Sequence, residues 1–161
     1  MPETPPATAP DPRLTFGIFN EIGIIAQLSR TMFEAHLPKG AGLPHFSLVN
    51  HLVRVRDGQT PLTLARAFQV PKTTMTHTVS GAVARGWVDL RPNPDDGRSK
   101  TVWLTDAGRA FREAAIASLA PDMTQVGAAL DAATQAELLE KLTQLRVFLD
   151  AYRDPPKGSS A

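Results

Sequence analysis

Residues 64–76 read Leu64-Ala65-Arg66-Ala67-Phe68-Gln69-Val70-Pro71-Lys72-Thr73-Thr74-Met75-Thr76, and the break at their centre decides the fold. Just ahead, Thr60-Pro61 supplies a helix cap and a first helical position. A threonine hydroxyl there accepts a first-turn N–H, and a proline at the first position has no N–H that needs a partner. The spacing predicts a short helix ending near Phe68, a three-residue turn Gln69-Val70-Pro71, and a second helix from Lys72 to Arg85 closed by Gly86. Leu64, Ala65, Phe68, Val70, Met75, Val79, Val83 and Trp87 form the candidate core of this unit.

Residues 87–91 and 99–104 are strand-like and flank the turn-rich segment Pro92-Asn93-Pro94-Asp95-Asp96-Gly97-Arg98, which predicts a β-hairpin with a polar tip. Thr105 or Asp106 can cap a further helix through about Ala120, where Pro121 is expected to kink or interrupt it, and Asp131 can cap a last helix. Upstream, Ile18, Ile22, Ile25, Ser29, Met32 and His36 recur at spacings of four and three, which predicts a long helix over 14–37 broken by Lys39-Gly40-Ala41-Gly42. Pro44 opens another helix running to about Arg56, and Asp57-Gly58 stops it. In the last helix Leu138, Leu142, Leu145, Leu149 and Tyr152 form a second apolar seam. The seam of the first helix is wide, with Phe19, Ala26 and Phe33 beside it, and needs partners on more than one side.

The fold class is therefore mainly α with a small β-hairpin wing: a winged helix-turn-helix lobe plus a helical region contributed by both termini. That plan offers its second helix to a DNA major groove. Met75, Val79 and Ala82 form the buried stripe of this helix, which leaves Thr73, Thr76, His77 and Ser80 together on the exposed one. Small polar side chains let a helix backbone approach base edges closely, and Thr methyls can touch the thymine methyl. Lys72 at the helix start can meet a phosphate. On the hairpin tip Arg98 can enter a narrow minor groove, with Asp96 two residues earlier to brace it.

Charge is distributed to match. The 161-residue chain has a formal net charge of +1, yet residues 54–112 carry ten Lys or Arg against five Asp or Glu, while the flanks sum to −1 and −3. A basic middle suits a polyanion, although a solvated basic face gives the same count. The absence of cysteine excludes disulfides, thiolate metal sites and a cysteine redox sensor. No apolar run approaches the ~18 residues of a membrane span, and no export signal opens the chain, so a cytoplasmic protein with no membrane partner is expected.

Residues 58–108 resemble the DNA-binding lobe of MarR-family regulators. The resemblance is carried by residues 64–76 as quoted, by Arg85-Gly86-Trp87-Val88, by Pro94-Asp95-Asp96-Gly97-Arg98-Ser99-Lys100, and by Leu104-Thr105-Asp106-Ala107-Gly108. The wing followed by Leu-Thr-Asp-Ala-Gly is the distinctive part. The likeness extends at pattern level over about 14–152, as a single domain whose dimerisation helices lie at about 14–37 and 106–152 and whose winged helix-turn-helix lies at about 44–105. Residues 1–13, with five prolines, and 153–161 read as disordered tails.

The resemblance implies a homodimeric repressor that binds double-stranded DNA at a pseudo-palindromic operator, with no cofactor and no catalytic activity. It places Lys72, Thr73, Thr74, Thr76 and His77 at recognition-helix positions and Arg98 at the wing arginine, with Lys100 as a second wing anchor. His77 departs from the arginine common there, so binding is expected to weaken as pH rises through an ordinary imidazole pKa of about 6.5. Many members release DNA when a small aromatic or anionic effector fills a cleft. Phe16, Phe19, Phe33, His45, Phe46 and His51 are the candidates to line one here, and the same residues also read as plain core.

Other chemistries are weak. His36, His45, His51 and His77 form no ligand pair at i,i+4 spacing. Ser80 and His77 lack an orienting acid, and Asp95-Asp96 reads as turn chemistry rather than an acid–base pair. The rival from a different class is a winged-helix module for protein association, which aromatic anchors on the exposed face would mark.

Overall fold

A computed structural model describes residues 11–153, comprising α1 (Pro12–Ala35), α2 (Leu43–Arg54), α3 (Pro61–Phe68), α4 (Lys72–Ala84), β1 (Val88–Asn93), β2 (Asp96–Leu104), α5 (Asp106–Gly127) and α6 (Ala132–Arg153). The architecture is mainly helical with one antiparallel two-stranded hairpin. Contacts divide it into two compact units that meet between Ser118 and Leu119, inside α5. Most of the tails expected at 1–13 and 153–161 lies outside the described residues. Their inner ends are structured: Asp11 accepts the Arg13 N–H at 2.9 Å with Pro12 at the first helical position, and Arg153 ends α6. Among the described residues, no helix is long and apolar enough to cross a membrane.

In the first unit the helix-turn-helix forms where its signals stand. Thr60 caps α3 by accepting the Thr63 N–H at 3.2 Å, and Gln69 ends it in the left-handed region at φ 53°. The Val70 N–H then turns back to the Ala65 carbonyl at 3.0 Å, and α4 begins at Lys72. Leu64, Ala65, Met75 and Val79 are buried, and Phe68, Val70 and Trp87 pack partly buried against them. Val83 departs from the expected core. It is exposed, and Ala82 is fully buried instead, because the inward stripe of α4 runs through Met75, Val79 and Ala82. Much of the remaining core comes from α2 (Leu48, Val49, Leu52), the hairpin (Val88, Val102) and the start of α5 (Phe111, Ala115).

The hairpin is longer and its turn tighter than the sequence suggested. Asn93 pairs with Asp96, leaving Pro94 and Asp95 as the turn, and the register shifts between Pro92 and Asn93. A two-stranded sheet has edges on both sides, so Pro92 can sit in β1 without removing an interior ladder bond. A bridge between Gln59 and Val102 fastens the loop before α3 to the root of β2.

Helix α5 starts as predicted, with Thr105 Oγ1 accepting the Gly108 N–H at 3.0 Å. Gly108 sits there because a Cβ would collide with the Trp87 carbonyl, which gives the glycine of the Leu-Thr-Asp-Ala-Gly stretch its physical reason. Pro121 does not end α5, which continues to Gly127. The ring removes one helical hydrogen bond, and helix-forming residues on both sides carry the chain through. In the second unit Asp131 caps α6 through the Thr134 N–H at 2.9 Å, and Gln135 donates to the Gly127 and Leu130 carbonyls, each at 2.7 Å. The Thr134 hydroxyl and N–H hold the Asp131 carboxyl below the usual range.

Candidate nucleic-acid interface

Helix α4 sorts its residues by period. Met75, Val79 and Ala82 anchor it to the core, while Lys72, Thr73, Thr76, His77 and Ser80 are exposed and line one shallow depression. The structure thus brings five of the six recognition-helix candidates onto one surface. Thr74 is exposed but outside that depression, and its carbonyl accepts the Thr78 hydroxyl at 3.1 Å. The Thr76 hydroxyl donates to the Lys72 carbonyl at 2.8 Å, which leaves its oxygen lone pairs free to accept. No side chain caps the α4 N-terminus, so its first N–H groups and the positive end of the helix dipole stay open to an anion.

A groove runs from α4 to the wing. Its lining joins Thr60, Pro61 and Leu62 of the α3 start to Lys72 and Thr76 of α4, and to Asn93, Asp96, Arg98, Ser99 and Lys100 of the hairpin. Three cations, Lys72, Arg98 and Lys100, therefore border one concavity, and none forms an ion pair with a described residue. Asp96 braces the wing through the main chain, accepting the Arg98 backbone N–H at 3.0 Å and so leaving the guanidinium unengaged. The Asn93 amide completes the tip by donating to Ser99 Oγ at 2.8 Å and accepting the Asp95 N–H at 3.1 Å. Asn93, Ser99 and the Thr60–Leu62 segment were missed by sequence reasoning. Their turn and cap chemistry was legible, but their convergence with α4 is a tertiary fact.

At the wing root a further cation is positioned: the Arg91 guanidinium lies 4.7 Å from the Trp103 ring centroid, and Trp103 Nε1 donates to Thr101 Oγ1 at 2.8 Å. Only the position of Arg91 on a strand could have flagged it beforehand.

Of the six candidates for an effector cleft, the structure brings Phe33 and Phe46 into contact. Phe16 and Phe19 are exposed on α1. Phe33 packs on Phe46 with 4.4 Å between ring centroids, and Phe46 belongs to the buried core. His51 lies against Phe68 at 5.1 Å between ring centroids, with its Nε2 3.0 Å from Gln59 Nε2, whereas His45 faces Trp87 edge-on at 6.1 Å. Burial, and next the Arg85 guanidinium, hold the His45 imidazole below its ordinary pKa of 6.5.

A sequence model described as MarR family matches residues 40–99, which spans α2, the helix-turn-helix and most of the wing. Solved structures agree over most of the chain. Apo wild-type MarR from E. coli is 25% identical, with 86% of this chain and 98% of that one covered and a TM-score of 0.67. A mutant MarR from E. coli complexed with operator DNA is 24% identical, with 84% and 99% covered and a TM-score of 0.68. The PcaV transcriptional regulator from Streptomyces coelicolor, solved with its natural ligand, is 21% identical, with 87% and 97% covered and a TM-score of 0.66. No curated protein matches the chain in sequence.

Proposed function

We propose that this chain is a winged-helix, DNA-binding regulator of the MarR family that represses transcription as a homodimer on a pseudo-palindromic operator. One observation carries the reading. The exposed Thr73/Thr76/His77/Ser80 face of α4 continues through Lys72 into a groove bordered by Arg98 and Lys100. A helix of small polar side chains flanked by unpaired cations fits a base-reading element held in place by phosphate contacts. The MarR complex with operator DNA supports the same use of the fold.

Dimerisation is supported by the helices outside the lobe. Neither α1 nor α6 has a buried residue, and each exposes a row of large apolar side chains: Leu14, Ile18, Ile25 and Leu28 on one, Leu138, Leu142, Leu149 and Tyr152 on the other. Apolar surface on this scale calls for a partner, and a two-fold dimer presents two recognition helices at the spacing of successive major grooves. Release by a small aromatic or anionic ligand extends the reading by analogy with PcaV, whose ligand complex is the precedent.

The test is fluorescence anisotropy of the purified protein on a duplex from its own promoter region, beside a scrambled duplex, at two salt concentrations. Selective, salt-sensitive binding with a stoichiometry of two chains per duplex supports the proposal. Equal binding to both duplexes, tested across the flanking intergenic DNA, overturns it in favour of a protein-association module.

A further inference from the structure

His45 stands where the start of α2, the C-terminal part of α4 and the root of the wing meet. Its Nδ1 accepts the Gly42 N–H at 3.1 Å, closing the first turn of α2 on itself. Its Nε2 faces the Gly81 backbone so closely that a Cβ added at Gly81 would collide with the ring. Arg85, at the end of α4, ties the same corner a second time by donating to the Gly81 carbonyl at 2.9 Å and the Gly40 carbonyl at 2.5 Å. A third tie leads to α1, where Glu34 Oε1 accepts the Leu43 N–H at 3.0 Å. The corner between α1 and α2 therefore grips the recognition helix through one histidine and one arginine.

The Gly42 bond dictates the protonation state. Nδ1 accepts only with a free lone pair, so the single proton of the neutral ring sits on Nε2. Three charged or titratable groups lie near His45 on the elements around it. Arg85 comes from α4, and His77, also from α4, shares with His45 a surface depression lined by Pro44, Thr78, Ser80 and Gly81. Glu34 comes from α1, with its carboxylate already engaged by Leu43 and by Arg30 at 3.3 Å. A second proton on His45 would set two N–H donors against each other at Gly42 and add a cation beside Arg85.

We propose that His45 is a positioning residue for DNA binding: its neutral imidazole, seated between the Gly42 N–H and the Gly81 backbone, sets the recognition helix on the α1–α2 corner, and protonation unseats it. The proposal rests on the DNA-binding reading above. Affinity is expected to fall as pH drops.

The test combines two measurements on the full chain: anisotropy with the own-promoter duplex from pH 5.5 to 8, and NMR titration of the imidazoles and the Gly42 and Gly81 amides without DNA. Affinity is expected to fall about tenfold on the acid side of the titration. His45→Asn, whose Oδ1 can accept the Gly42 N–H without titrating, is expected to shrink that loss to about twofold or less. Gly81→Ala is expected to weaken binding at every pH, and adding His45→Asn to recover part of it, since the shorter side chain leaves room for the methyl. The Gly42 and Gly81 amides are expected to titrate with the His45 ring. An acid loss undiminished in His45→Asn, or amides that ignore the ring, would overturn the proposal. If the duplex binds no better than its scramble at any pH, the DNA reading fails, and the amide titration alone decides whether His45 seats α4.

Discussion

The Trp87 indole stacks on the Phe111 ring with 3.7 Å between centroids and 9° between planes. Trp87 directly precedes the wing and Phe111 lies in the first turns of α5, so this pair holds the hairpin root against the helix that follows it. Phe111 also meets Phe46 edge-on at 6.4 Å, which joins α2 to the same cluster.

Phe111→Ala is therefore expected to destabilise the first unit by about 3–5 kcal/mol, the usual cost of truncating a buried phenylalanine. Phe111→Leu, which keeps most of the volume but not the stacking, should cost less than half as much. Urea melts followed by tryptophan fluorescence measure both, and equal costs for the two variants would argue against a role for the ring.

Gln69 holds φ 53° at the end of α3 with a side chain the left-handed region disfavours. Gln69→Gly should relieve that strain and raise stability by about 0.5–1 kcal/mol, net of the greater freedom of glycine in the unfolded chain. A destabilised variant in thermal melts would mean that the amide side chain contributes more than the backbone strain costs.

Arg98 has its backbone N–H held by Asp96 and its guanidinium unpaired. Arg98→Ala should weaken DNA binding and reduce the slope of log affinity against log salt by about one. Unfolding should change by less than about 0.5 kcal/mol, as for an ordinary surface substitution. A salt slope equal to wild type would remove Arg98 from the phosphate contacts.

His45 also predicts how stability depends on pH. Burial and Arg85 lower its pKa in the folded chain, so the unfolded chain binds the proton more readily. The stabilisation is complete above the unfolded value of 6.5 and is lost as pH falls through the lowered folded value. Wild type should therefore lose stability over that window faster than His45→Asn does. Parallel curves from urea melts between pH 5 and 8 would show that His45 does not titrate on unfolding.

The number, type and order of the elements were legible in the chain, because caps, breakers and apolar periods are local: Thr60-Pro61 starts α3, Thr105 and Asp131 start α5 and α6, and Met75, Val79 and Ala82 face α4 inward. The same periodicity placed Thr73, Thr76, His77 and Ser80 outward. What those faces meet was set by packing between elements. It exposed Val83, shortened the wing turn to Pro94-Asp95, carried α5 through Pro121 and stacked Phe33 on Phe46. It also set His45 against Gly81, thirty-six positions away. A helical period fixes the direction of a side chain within its own element, whereas its neighbour is chosen by packing between elements distant in the chain, and no local signal encodes that choice.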